Sequence, residues 1–155
     1  MGCIAGRIHP DPAIAYKQEI TRQWWSTAKA RYELWISDVV LGESSDGDPS
    51  AAQERLEIIQ GLAQLDASET VKEVTKSLLA NKAVPESQPR DAFHIAVAAV
   101  NNMQFITTWN FKHILNPTVR HLIESVCKDA GFDLPVICTP EQLLKAYNVI
   151  KRNKR

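Results

Sequence analysis

Residues Pro89 to Pro117, PRDAFHIAVAAVNNMQFITTWNFKHILNP, are compatible with few folds. Phe93, Ile95, Ala96, Val97, Ala98, Ala99 and Val100 make a helix apolar on nearly every side, and such a helix has to be buried. Pro89 and Arg90 are expected just outside it and Asp91 in its first turn. Asn101-Asn102 ends it, because Asn tolerates the left-handed backbone of a helix stop. Gln104 to Thr108 is β-branched and aromatic and reads as a short buried strand. A polar loop follows, beginning Trp109-Asn110-Phe111-Lys112-His113.

This order has chemical meaning in an α/β unit. A helix joining parallel strands runs back against them, so its N-terminus lies at the strands' carboxyl edge. Ligands of open α/β sheets bind at that edge. Asp91, opening the helix, and Asn110, following the strand, are both expected there. A carboxylate at a helix N-terminus stays ionised readily, because free N–H groups and the helix dipole favour negative charge. An ionised Asp beside a polar amide suits a hard, oxygen-preferring cation such as Mg²⁺. Taken singly, each residue has a plainer reading: Asp91 as a helix cap and Asn110 as turn chemistry.

The remaining chain supplies the other elements. Ala13 to about Ala30 reads as a helix with Tyr16, Ile20, Trp24 and Ala28 in one apolar stripe, widened by Trp25. Packing on a sheet is preferred for that stripe over a tryptophan face for a partner. Tyr32 to Ile36 is a strand, Ser37 an N-cap, and Val39 to Leu41 a short helix that leads to Glu43. Asp46-Gly47-Asp48-Pro49 is a turn with Pro49 opening the next helix, over Ala51 to about Gly61. Leu62 to Leu65 is a strand, and Ser68 caps a helix reaching about Asn81 with Val71, Val74 and Leu78 on one face. Residues 82–88 form a loop. Asn116-Pro117 is expected to start a helix that buries Val119, Leu122, Ile123 and Val126 and stops at Gly131. Leu134 to Cys138 is an edge strand by virtue of Pro135, and Thr139-Pro140-Glu141 opens the last helix.

Alternating strands and helices predict a three-layer α/β domain with a mainly parallel sheet and helices on both faces. It is expected over residues 13–150, after an irregular segment 1–12 and before a basic tail, 151–155, read as a solvated end. Glu43 sits in the short helix after the Tyr32–Ile36 strand, which adds a third polar side chain to the same edge. The set of Glu43, Asp91 and Asn110 points to a site, although Glu43 alone would be ordinary solvated surface.

Composition removes several classes. The 155 residues are 45% hydrophobic, enough for one ordinary domain with a real core. Lys+Arg and Asp+Glu both number 18, so net charge gives no nucleic-acid footprint but leaves room for a local basic patch. Cys3, Cys127 and Cys138 form no C-x-x-C pair, which points to a reducing, cytoplasmic setting. No apolar run has the length of a membrane span, and the first residues lack the layout of a signal peptide. Met1-Gly2 lacks the Ser or Thr that myristoylation needs, since position six is Gly6. Zinc spacing, a P-loop, G-x-G-x-x-G and G-x-S-x-G are all missing.

The run DAFHIAVAAVNNMQFITTWNFKHI resembles the PIN-domain family, in particular the VapC-type toxin ribonucleases of toxin–antitoxin pairs. The likeness is strongest from Arg90 to Pro117, and is weaker back to about Trp24 and after about Glu141. It implies a PIN-like fold and a Mg²⁺- or Mn²⁺-dependent endoribonuclease. It also implies an RNA substrate, a cognate antitoxin protein and a homodimer. Residue by residue, it carries Glu43 and Asp91 onto two family acids that hold metal, and Asn110 onto a later acid. Glu43, Asp91 and Asn110 are then the catalytic set. Such chemistry needs hydroxide delivered to an anion, and a divalent cation both acidifies bound water and neutralises phosphoryl charge. Thr107 or Thr108 is expected to fix a carboxylate by hydrogen bonding. For His94 a buried hydrogen bond is preferred over a phosphate contact. For His113 a phosphate contact and a surface role stand equal.

The likeness departs from the family at the start. PIN domains begin with an apolar strand ending in an acid that ligates metal. Here the first acid is Asp11 within His-Pro-Asp-Pro, with no apolar strand before it. The first strand and its acid are therefore expected to be missing, in a shortened chain or a degenerate member. Metal affinity should fall with the lost charge. The alternative function is a non-catalytic PIN-like module that binds an antitoxin or RNA. A small-molecule α/β domain has least support, because no phosphate-cradling Gly-rich loop is present.

Overall fold

The computed structural model describes residues 3–153, with side chains as far as Tyr147. In chain order the elements are α1 (Pro12–Ala28), β1 (Trp35–Ile36), α2 (Asp38–Ser45), α3 (Pro49–Ile59) and β2 (Ala63–Gln64). There follow α4 (Glu69–Ala80), α5 (Pro89–Val100), β3 (Phe105–Thr107), α6 (Arg120–Asp129), β4 (Val136–Cys138) and α7 (Pro140–Asn153). Among the described residues the fold is mixed α/β, with seven helices and two short, separate, parallel two-stranded sheets. Parallel pairing was expected; two sheets in place of one were not. The chain groups into two compact units, residues 1–64 with 139–155 and residues 65–138.

Local chemistry explains most boundaries. Asp11, Ser37, Asp48 and Ser68 each accept a backbone N–H of the first turn they precede, which satisfies a donor the helix cannot. Thr139 and Gln142 cap α7 reciprocally, the Gln142 N–H on Thr139 Oγ1 at 3.1 Å and the Thr139 N–H on Gln142 Oε1 at 2.9 Å.

In the first unit β1 and β2 pair in parallel, Trp35 opposite Ala63 and Ile36 opposite Gln64, with α2 and α3 forming the crossover. α1 packs on α7, and Trp24 and Ala28 are buried. Tyr16, expected in that stripe, is instead 48% exposed, and its hydroxyl donates to Glu141 at 2.7 Å. The segment before α1 is turn and bend, tied down by Arg22 to the Gly6 carbonyl and by Glu54 to the Gly6 N–H. At the other end α7 takes in the expected basic tail as far as Asn153. Met1-Gly2 and residues 154–155 lie outside the described residues.

In the second unit β3 and β4 pair in parallel, Phe105 opposite Val136, Ile106 opposite Ile137 and Thr107 opposite Cys138. α4 packs on α5 and on α6. Val71, Val74, Leu78, Ile95, Ile123 and Ile137 form the centre of its core, and Ala83 and Val84 of the preceding loop join it. Four expectations are corrected here. Pro89 and Arg90 lie inside α5, with Pro89 in the first turn, where its missing N–H costs nothing. β3 is not a fully buried strand: Phe105 is 42% exposed and Thr107 is exposed, because alternate side chains face away from the helices while Ile106 packs against the core. α6 starts at Arg120 rather than Asn116, because Asn116 Oδ1 accepts from both the N–H and hydroxyl of Thr118 and holds a turn there. Leu122 is exposed, and Ile123 and Val126 carry the buried face. Among the described residues no helix is long and apolar enough to cross a membrane.

Candidate functional site

Asp91 sits in the first turn of α5. Gln88, before the helix, gives no side-chain cap, so the acid stands near amide groups that the helix leaves free. Its carboxylate is held by something else. Oδ2 lies 2.8 Å from Nδ1 of His113, and the two side chains are 14% and 13% exposed. A carboxylate offers only acceptor atoms, so Nδ1 carries the proton of this bond.

The loop after β3 is built to place that imidazole. The Thr108 N–H donates to the Cys138 carbonyl at 2.9 Å, which closes the β3–β4 ladder at its Thr107–Cys138 pair. Thr108 Oγ1 then accepts the Asn110 N–H at 3.0 Å, and Asn110 Oδ1 accepts the His113 N–H at 3.0 Å. The Leu115 N–H closes on the Asn110 carbonyl at 2.8 Å. Ile114 is buried in the core beside these bonds and anchors the loop. Asn110 therefore works by a side chain that mimics backbone, the usual use of Asn in tight turns. Trp109 and Phe111 flank it with ring centroids 6.3 Å apart, and Phe111 and Lys112 are exposed.

The expected residues are thus distributed as follows. Asp91 and Asn110 share the second unit and are linked through His113, one by its ring and the other by its backbone. The threonines do not fix the carboxylate: Thr108 caps the loop, and the fixing group is His113. His113 is neither free surface nor an uncommitted phosphate contact. His94 is partly buried one turn further along α5. Glu43 lies in the first unit, partly buried near the end of α2, and its carbonyl accepts the Asp46 N–H at 3.4 Å.

The Asp91–His113 pair is what the sequence reading missed. The signal was present. The edge argument that places Asp91 and Asn110 together also places His113 three residues later on the same loop.

Asp91 and Asn110 offer hard oxygen donors, the kind that Mg²⁺ or Mn²⁺ takes. Among the described residues, however, no three His, Cys, Asp or Glu side chains stand together as a group able to hold a metal ion. Asp91 is the carboxylate that the loop binds, and further ligands would have to be waters, substrate oxygens or other acids. The two buried thiols are inert by contrast. Burial pushes the Cys127 thiol up to about 11 and also raises that of Cys138.

Comparison of the chain with protein-family models, with curated proteins and with solved structures finds no match.

Proposed function

We propose that this chain is a PIN-type domain of the VapC kind. On this reading it is a three-layer α/β nuclease that cleaves RNA with Mg²⁺ or Mn²⁺, is restrained by a cognate antitoxin, forms a homodimer and works in the cytoplasm. One observation carries the proposal. Asp91 and the loop from Thr108 to His113, the two halves of the family-like run, are joined by a 2.8 Å bond beside the carboxyl ends of β3 and β4. Ligands of parallel sheets bind at such an edge. The free thiols Cys3, Cys127 and Cys138 fit a reducing compartment.

In this reading Asp91 supplies an anionic oxygen, and the resemblance assigns Glu43 as the second acid that holds the cation. A bound divalent cation would lower the pKa of a water and offset charge on the phosphoryl oxygens. Water oxygen would form the new bond to phosphorus and give up its proton to solvent, while the bond to the leaving ribose oxygen breaks and that oxygen takes up a proton from solvent. Asn110 keeps the loop closed, and the pair with His113 keeps the Asp91 carboxylate directed.

The second reading is a non-catalytic PIN-like module that binds an antitoxin or RNA. It is favoured by the bonds Asp91 and Asn110 already make inside the protein, since this polar network is satisfied without any cation.

The test is cleavage of a mixed single-stranded RNA with added Mn²⁺, comparing the chain with Asp91→Asn. Cutting that disappears in the variant supports the nuclease. Cutting that survives rejects Asp91 as part of the centre. No cutting by either form, together with tight RNA binding, supports the module.

A further inference from the structure

We infer that the first unit carries a binding site for a free aliphatic α-amino acid, in which Gly6 of the chain itself holds the places of the ligand's amino and carboxyl groups. The site does not depend on the nuclease reading above. It is an open cleft of about 530 Å³, a volume usual for small-molecule sites. α1 contributes Arg22 to its lining, and α3 contributes Glu54 and, three residues on, Glu57. Among the described residues, Arg22 and Glu54 form no ion pair with each other; both bind one residue instead. Arg22 Nη2 donates to the Gly6 carbonyl at 2.6 Å, and Glu54 Oε2 accepts the Gly6 N–H at 2.8 Å. These two groups of Gly6 flank one Cα, as the carboxylate and ammonium of an α-amino acid do.

Gly6 fills those places incompletely. Arg22 Nε is buried and has no hydrogen-bond partner. Its N–H and the Nη2–H beside it form one edge of the guanidinium, whose two donors match the two oxygens of a carboxylate. The single carbonyl oxygen of Gly6 leaves one of them unsatisfied, a costly state for a buried donor. Toward Glu54 and Glu57 the Gly6 N–H offers one neutral donor, where an ammonium offers three and a positive charge. Charge selects a zwitterion. A carboxylic acid alone would sit beside two carboxylates, and an amine alone beside Arg22. Ile4, Ala5 and Ile58 complete the lining and suit an aliphatic side chain. Gly6 is able to move aside: it lies at a φ of 82°, in a segment with neither helix nor strand. The next residues stay anchored, because the Gln18 amide donates to the Arg7 carbonyl at 3.2 Å and accepts the His9 N–H at 2.8 Å.

The test titrates the full ¹⁵N-labelled chain with L-leucine and follows the Gly6 and His9 amides by nuclear magnetic resonance. Leucine is expected to shift the Gly6 resonance saturably and to quicken its hydrogen exchange, with the His9 amide left protected. 3-Methylbutylamine lacks the carboxylate and 4-methylpentanoate lacks the amine; each should bind at least about 10-fold more weakly, the loss of one charge-assisted contact. Glu57→Gln leaves both Gly6 bonds in place and should weaken leucine about 3-fold, as for an exposed ion pair. A Gly6 amide that leucine leaves unmoved overturns the inference in the wild-type chain, without recourse to a variant. So does binding of either analogue as tight as that of leucine, or leucine binding indifferent to Glu57→Gln.

Discussion

His113 Nδ1 and Asp91 Oδ2, 22 residues apart in sequence, are 2.8 Å apart in the fold. The bond ties the loop after β3 to the first turn of α5, and it separates two roles that one acid combines. Asp91→Ala leaves a nearly buried N–H donor without its acceptor and should cost about 1–3 kcal/mol in denaturant unfolding. Asp91→Asn keeps an acceptor of the same shape and should cost under about 1 kcal/mol. If both substitutions destabilise equally, the hydrogen bond is not what holds the pair.

Asn110 should behave as a loop residue first. Asn110→Ala removes the acceptor of the His113 N–H and should cost about 1 kcal/mol, in line with the loss of other side-chain caps. Hydrogen exchange at the His113 amide should quicken markedly in that variant. Asn110→Asp keeps the acceptor and should leave the exchange slow.

The thiols give a pH dependence with a definite sign. Burial pushes Cys127 from the ordinary 9.0 up to about 11. The folded chain therefore keeps a neutral thiol where the unfolded chain has begun to ionise. Stability from this group is complete below about pH 9 and declines as pH rises toward 11. Unfolding midpoints measured from pH 8 to 11 should fall over that window, and less so in Cys127→Ala. In the native protein a thiol reagent should modify the partly exposed Cys3 before Cys127 or Cys138.

Two neighbours on α6 test the core. Ile123 is fully buried, and Ile123→Ala should cost about 2–5 kcal/mol. Leu122 is 38% exposed, and Leu122→Ala should cost well under that, about 1 kcal/mol or less. Equal losses in thermal unfolding would mean that the buried face of α6 is wider than described.

What could be read from the sequence follows the range of the forces involved. Ser37, Ser68 and Pro49 mark helix starts by chemistry that acts within one turn, and they were legible. So was the stop at Asn101-Asn102, where Asn102 adopts a φ of 55°. The helix start at Arg120 was missed because the Asn116 side chain competes locally for Thr118, and periodicity does not register that competition. The exposure of Phe105 was missed because a run of β-branched and aromatic residues looks the same whether one face of a strand is covered or both. At the candidate site, Asp91 and Asn110 could be placed at one edge from topology alone. The same topology brings His113 to that edge, but the meeting of its ring with Asp91 depends on a loop conformation set by Thr108 and Asn110, which periodicity does not register.

The loop also has a length built into it. Asn110 reaches His113 across two intervening residues, Phe111 and Lys112, while the Leu115 N–H returns to the Asn110 carbonyl. One turn of backbone therefore serves as a ruler, and the two side chains between its ends are exposed and set no part of its length. Substituting either should leave that length intact, whereas changing their number should not. An added or deleted residue there would swing the imidazole off its carboxylate while leaving every neighbouring side chain unchanged.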